Sequence, residues 1–570
     1  MAQAPTESDE LVDVVSRLRD LVEEVSLPLD VPGRDAAEVS RLALLNQLDD
    51  YVLPRLRSID APLLAVVGGS TGAGKSTLVN SVVGATVSRT GVIRPTTTTP
   101  VLVHHPDDER WFTGHRILPT LARVTGAAGE EQQAGAVRLV ASSALPPGMA
   151  LLDAPDIDSV VHTNRELATQ LLAAADLWLF TTSAARYADA VPWDLLRTAS
   201  DRGTAVAIIL DRVVPPADEE IRPHLHEMLR EQGLVTAPIF TVPESVLDRD
   251  ARLPEAATAR LRAWLDALAG DSRARSVVVS QTLRGAMHSL SGRTDQLAAA
   301  SEAQDAARAA LAGAAEEEYT AALAAVQAGM TDGTLLRGEV LARWQEFVGT
   351  GEFFRQMETT IARWRDRVGA ALRGAPRPSE SLGEALQTGV AALVRSHGDA
   401  AAADTARTWR RLPGGEPLLA ADPALASGSG DFGDRVDRVV REWQGEVFDL
   451  VRTEGGNRRT NARVAAYGVN GIGLVLMLVT FAHTGGLTGA EVGIAGGTSV
   501  LAQRLLEAIF GDQAVREMAA KARASLAARV EELYAGERGR FLTRLEDRAA
   551  PEDQTGRVVA AAAAVREESR

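Results

Sequence analysis

Residues 69–76 read Gly69-Ser70-Thr71-Gly72-Ala73-Gly74-Lys75-Ser76, behind an apolar run at 63–67 and ahead of Thr77-Leu78-Val79-Asn80, where a helical pattern begins. This is a complete phosphate-loop spacing in the strand, loop, helix order that it requires. Glycines let backbone N–H groups curl around phosphate oxygens, and the helix N-terminus adds its positive end. Lys75 is placed to reach the β and γ phosphates of a nucleoside triphosphate, and Ser76 to ligate magnesium. The expected nucleotide-binding set is therefore Gly69, Ser70, Thr71, Gly72, Ala73, Gly74, Lys75, Ser76 and Thr77, with Lys75 also neutralising charge in catalysis. Lys75 and Lys521 are the only lysines among 60 basic residues. A strong arginine bias thus yields at the position where phosphate binding wants a compact point charge.

Outward from the loop, short apolar runs at 63–67, 101–104, 149–152, 177–181, 205–210 and 239–242 alternate with helical patterns. Such alternation predicts an α/β domain with a mostly parallel sheet over residues 61–271. From 272 to 570 the pattern turns to long alanine-rich helices, a bundle or stalk, with breaks near 349–351, 374–378 and 413–434. Residues 1–60 carry two amphipathic helices. Leu11, Val15, Leu18, Val22 and Val25 fall in alternating steps of four and three, a seam that wants a partner helix and is expected to pack on the stalk.

Composition narrows the function classes. At 570 residues the chain has room for about three to four domain-sized units. Hydrophobic residues at 45% and charged residues at 24% mark a globular protein, while 4% aromatics with abundant alanine favour helices over strands. With no cysteine, disulfides and thiolate chemistry are excluded, and the polar, acidic start lacks the pattern of a secretory signal, so a cytoplasmic location is expected. A net charge of -16 repels nucleic acid, which is not an expected partner.

Two phosphate-loop classes diverge downstream of the loop. Leu290-Ser291-Gly292-Arg293 resembles the signature loop of transporter ATPases but lacks its second glycine, and Asp153 is followed by Ala154 instead of a water-polarising glutamate. The switch pattern fits better. Between the first helix and second strand, Gly91-Val92-Ile93-Arg94-Pro95-Thr96-Thr97-Thr98-Thr99-Pro100 offers a threonine, Thr97, to ligate magnesium, sense the γ phosphate and act in catalysis. Asp153, at the end of a buried strand in Asp153-Ala154-Pro155-Asp156, stands where a carboxylate holds magnesium. Asp156 replaces the glycine whose N–H usually meets the γ phosphate. Base selection normally uses Asn/Thr-Lys-x-Asp. Here Asp211 and Arg212 supply part of that element, but Val214 occupies the aspartate position, so guanine and adenine both stay open on these residues. Residues 241–245 are the expected place of the last base-contacting loop.

No charged residue occurs between Arg463 and Glu491, and residues 469–482 are strongly apolar. The densest part is shorter than the roughly 20 residues of a spanning helix. With a second apolar stretch at 492–502 after a glycine-rich link, it reads as a hairpin tip over 464–503. Arg452, Arg458, Arg459 and Arg463 precede it, each contributing about 1 kcal/mol at an anionic surface. Leu474, Leu476, Met477, Leu478 and Phe481 are the expected lipid contacts. A buried glycine-rich helix pair and a spanning hairpin are the other readings.

Two N-terminal helices, a phosphate-loop domain, a long helical stalk and a late hydrophobic tip together resemble the bacterial dynamin-like proteins, in an arginine-rich, actinobacterial form. The specific motifs lie in residues 69–100, 153–159 and 464–503. The resemblance implies a GTPase using GTP and Mg2+, with an α/β GTPase domain and an all-α stalk ending in a membrane-binding tip. By likeness, Lys75, Ser76, Thr97 and Asp153 would take nucleotide and magnesium. It further implies assembly as a homo-oligomer or with a paralogous dynamin-like protein on the inner face of the cytoplasmic membrane, to remodel, tether or scaffold it, with division proteins as further partners. Thr71 and Gly72 stand where dynamins often carry Gln-Ser, which implies slow or assembly-dependent hydrolysis. A soluble regulatory NTPase switch and an ATPase are the competing readings.

Overall fold

The computed structural model describes residues 7–89, 99–114, 117–125, 135–157, 162–214, 217–331, 378–455 and 510–569. They form two compact units: Met1–Leu27, Gly33–Glu302 and Ala550–Arg570 in the first, Pro28–Pro32 and Ala303–Ala549 in the second.

Among the described residues the first unit is built on eight strands: β1 Leu63–Gly69, β2 Val101–His104, β3 Ala122–Thr125, β4 Ala136–Ala141, β5 Met149–Asp153, β6 Leu177–Ser183, β7 Ala205–Val213 and β8 Ile239–Pro243. Their order is β3-β4-β2-β5-β1-β6-β7-β8. All neighbours run parallel except β2 and β5, which are antiparallel. The six apolar runs of the sequence are all strands, and β3 and β4 are additional.

Period-two geometry sends alternate residues to opposite faces. Leu64, Val66, Leu152, Phe180 and Ile208 pack on one side with Leu171, Leu196, Leu225 and Leu229. Leu63, Ala65, Val67, Leu151, Leu179 and Ile209 pack on the other with Leu78, Val79, Leu261 and Leu265. Helices therefore cover both faces, which is why the central strands read as continuous apolar runs. At the crevice outside the C-terminal end of β1, the chain leaves toward β2 on one side while β6 lies on the other. This is the switch point where open α/β sheets bind ligands.

The N-terminal seam packs within this unit. Val15, Leu18 and Val22 of the helix Glu7–Glu24 meet Leu44, Leu48, Leu283, Leu290 and Leu297, and Val558 and Val565 of the C-terminal helix Gln554–Glu568. The head of the long helix Ser272–Gly329 thus belongs to the sheet-bearing unit, which extends to Glu302. A buried Arg55–Asp176 ion pair ties the N-terminal helices to the sheet, and Asp176 also accepts from the Leu64 N–H at 2.8 Å.

The second unit is helical among the described residues, with Pro378–Trp409, Phe432–Gly455 and Asp512–Glu546 as long members. Its core buries Tyr319, Trp409, Phe432, Trp443, Tyr534 and Phe541. Trp409 lies edge-on to Phe541 at 5.1 Å and donates to the Leu311 carbonyl at 2.8 Å, and Trp443 donates to the Ala522 carbonyl at 2.8 Å. The expected loop at 413–434 contains the short helices Gly415–Ala421 and Pro423–Ala426. Among the described residues no helix is long and apolar enough to cross a membrane. The tip at 464–503, with Leu474, Leu476, Met477, Leu478 and Phe481, lies outside them, as does Thr97.

Candidate nucleotide site

Strand β1 delivers the loop to the C-terminal end of the parallel strands, and the helix Lys75–Val83 starts after Gly74, whose φ of 85° is left-handed. Two glycines are demanded by their neighbours. A Cβ at Gly69 would lie 2.0 Å from the Thr181 carbonyl oxygen, and one at Gly74 would lie 2.3 Å from Asp211 Oδ2. The loop is thus held against β6 and β7 at a distance no side chain permits.

Lys75 is buried, 5% exposed, and its ammonium donates to the carbonyls of Gly69 at 2.9 Å and Ser70 at 3.1 Å and to Asp156 Oδ1 at 2.5 Å. Ser76 Oγ donates to Asp153 Oδ2 at 2.7 Å, so the two expected magnesium residues meet. Ser88, which the sequence pattern did not single out, donates to the same oxygen at 2.5 Å. It is placed by buried Asn80, whose Oδ1 accepts from the Val87 and Ser88 N–H groups at 2.9 and 2.8 Å, while its Nδ2 donates to the Ser88 carbonyl at 2.8 Å. An asparagine six residues into the helix region, followed by Ser88, was the available signal.

Asp153 is completely buried, and burial pushes its carboxyl above the usual range while hydrogen bonds from Ser88 and Ser76 pull it back. Among the described residues, its second oxygen, Oδ1, has no hydrogen-bond partner. A buried carboxylate oxygen left bare is costly and suits a cation. No group of three or more His, Asp or Glu among the described residues forms a metal cage. One hydroxyl and one carboxylate beside a phosphate loop match magnesium that arrives with its nucleotide. The donor set therefore fits magnesium.

Beyond the loop, Asp211 abuts Gly74, and burial raises its carboxyl while the Arg212 backbone and side chain lower it. Arg212, with a left-handed φ of 54°, donates to the Gly72 carbonyl. Arg186, also absent from the expected set, donates to the Thr71 carbonyl at 2.8 Å and to Asp189 at 2.8 Å. Two guanidinium groups thus hold loop carbonyls. Val214 is exposed, and Thr241 Oγ1 donates to Asp218 at 2.9 Å.

Residues 64–212 match the model of the Dynamin family. No curated protein matches the chain. Among solved structures it is similar to a chain of an oligomerised bacterial dynamin pair, described as a mechanism for long-range sensing and tethering of membranes. That likeness has 9% identity and a TM-score of 0.46, covering 98% of this chain and 95% of that one. An Era variant of Aquifex aeolicus bound to GDP and AlF4- is similar at 18% identity, covering 36% of this chain and 56% of its own, with a TM-score of 0.24. Toc33 from Arabidopsis thaliana with GDP and Mg2+ is similar at 16% identity, covering 40% and 90%, with a TM-score of 0.23. Residues 64–212 thus carry a dynamin-family domain, which makes the chain a GTPase.

Proposed function

We propose that this GTPase binds GTP with magnesium and couples its hydrolysis to assembly on the inner face of the cytoplasmic membrane, which it remodels, tethers or scaffolds. The supporting observation is the meeting of Ser76 with buried Asp153 beside Lys75 inside a dynamin-family domain. In this reading residues 69–77 cradle the phosphates through backbone N–H groups, and Lys75 neutralises charge as water attacks in line. Ser76, Asp153 and Thr97 hold magnesium, which supplies further charge neutralisation when bound. Asp211 and Arg212 line the base side. Assembly is with a second copy or a paralogous dynamin-like chain, and cell division or envelope maintenance, with division proteins as partners, is the process proposed.

The membrane part rests on the uncharged stretch between Arg463 and Glu491 and the four arginines before it. The domain division proposed is 1–60, 61–271 and 272–570 with the tip at 464–503. Full-length protein is tested by GTP and ATP turnover and by co-sedimentation with anionic phosphatidylglycerol liposomes. GTP turnover lost in Lys75→Ala, and sedimentation lost in Leu474→Asp/Leu476→Asp without loss of turnover, support the reading. Protein that stays in the supernatant with GTP, ATP and no nucleotide makes it a soluble switch, and preferred ATP turnover makes it an ATPase.

A further inference from the structure

The ammonium of Lys75 has three N–H donors, and all three are taken: two by the carbonyls of Gly69 and Ser70, the third by Asp156 Oδ1 at 2.5 Å. The carbonyls belong to the loop itself. Asp156 comes from the segment behind β5, where the switch pattern has a glycine offering an N–H to the terminal phosphate. Among the described residues, no second cation pairs with this carboxylate. Lys75 is 5% exposed and Asp156 22%, so the pair is only partly screened by solvent.

A carboxylate and a terminal phosphate both seek the same ammonium donor. Holding both there places like charges within a few ångströms in a half-buried site, where their repulsion is several times its value in water. One of them leaves. We propose that Asp156 is a built-in competitor of the terminal phosphate, paired with Lys75 in the absence of a triphosphate and displaced by it. The proposal rests on the nucleotide reading of the site and goes beyond it by naming the residue that sets the relative affinity for tri- and diphosphate.

The chemistry orders the effect. The β phosphate has the backbone N–H groups of the loop besides Lys75, whereas the γ phosphate relies on Lys75 and the magnesium residues. Asp156 therefore penalises GTP more than GDP. It also links phosphate occupancy to the main chain, because the neighbouring Ile157 N–H lies 3.4 Å from the Gly69 carbonyl that Lys75 also contacts. Where the usual switch gains an N–H contact on binding, this chain loses an ion pair.

Full-length wild type, Asp156→Asn, Asp156→Ala and Lys75→Ala are titrated with fluorescent GTPγS and GDP in magnesium buffer, after thermal melts show that each folds cooperatively. Asp156→Asn is close to isosteric at a part-exposed position. The expected result is GTPγS binding about tenfold tighter in both Asp156 variants with GDP affinity changed by less than about threefold, an effect set by removal of one competing charge. Equal GTPγS affinity in wild type and Asp156→Asn overturns the competition. Weaker binding in both variants also overturns it, by making Asp156 a contributor to the nucleotide or magnesium contacts. If wild type and both Asp156 variants bind neither nucleotide, the nucleotide reading fails, and this inference with it. Wild type that binds with unchanged variants sinks the inference alone.

Discussion

Arg212 donates to the carbonyl of Gly72, spanning from the end of β7 to the phosphate loop. It does so with φ at 54°, a left-handed setting that costs a non-glycine residue about 1 kcal/mol. The contact ties down the Gly72 carbonyl, as Arg186 does that of Thr71, and so restrains the loop before any anion arrives. Because Arg212 is half-exposed, solvent screening holds its contribution to about 1 kcal/mol. Arg212→Ala is expected to weaken nucleotide binding about fivefold with little change in melting temperature. Equal affinity in a fluorescent-nucleotide titration rejects the clamp.

Ser76 and Ser88 converge on one oxygen of Asp153 and leave the other bare. Magnesium placed there would relieve the unpaired buried oxygen, which ties metal dependence to this side chain. Asp153→Asn should lose at least about tenfold of the gain in GTP affinity that magnesium brings, since a charge-assisted contact becomes neutral. Ser88→Ala should lose less, because Ser76 still donates. Titrations with and without EDTA read both, and an unchanged magnesium response in Asp153→Asn removes Asp153 from the metal site.

Much of the sheet was legible because strands buried on both faces must be apolar throughout, as residues 63–67 and 205–210 are. Strand β3 was not, since Ala122–Thr125 lies at the sheet edge with no fully buried residue, and β4 interrupts its apolar pattern with Arg138. The nearness of Asp153 to Ser76 arises because the neighbouring strands β5 and β1 end side by side, where the loop begins, which spacing reveals. Ser88 and Arg186 reach the site through loops, whose course depends on tertiary hydrogen bonds such as those of Asn80, and no local pattern encodes them. The Lys75–Asp156 pair joins residues 81 positions apart, and only the departure from glycine hinted at it.

Asp50 gives the first unit a pH signature. It is 3% exposed, and burial raises its carboxyl above the ordinary value of 3.8, against hydrogen bonds from Gln170 at 2.8 Å and Thr120 at 3.0 Å. A raised folded value means that the folded state binds more protons than the unfolded state above pH 3.8. The favourable contribution is therefore complete below that value and lost as pH rises through the folded one. Asp50→Asn removes the titration. Unfolding free energies of the two proteins from pH 4 to 8 should shift in favour of Asp50→Asn as pH rises, by about 1.4 kcal/mol for each unit that the folded value is raised. A pH-independent gap refutes the assignment.

Glu537 is the corresponding test of the second unit. Its carboxylate is fully buried and accepts from the Ser429 N–H at 2.9 Å, the Ser429 hydroxyl at 2.7 Å, Arg540 at 2.8 Å and Arg435. These partners join the turn before the helix Phe432–Gly455, and that helix's first turn, to the last third of Asp512–Glu546. Removing one member of a buried charged cluster strands the others, so the cost exceeds that of a surface pair. Glu537→Ala is expected to lower the unit's stability by about 3–5 kcal/mol. Glu537→Gln, which keeps the shape and an acceptor, should cost about half as much. Urea unfolding of the full chain measures both, and an Ala variant within about 0.5 kcal/mol of wild type would show that the cluster contributes no more than an exposed ion pair.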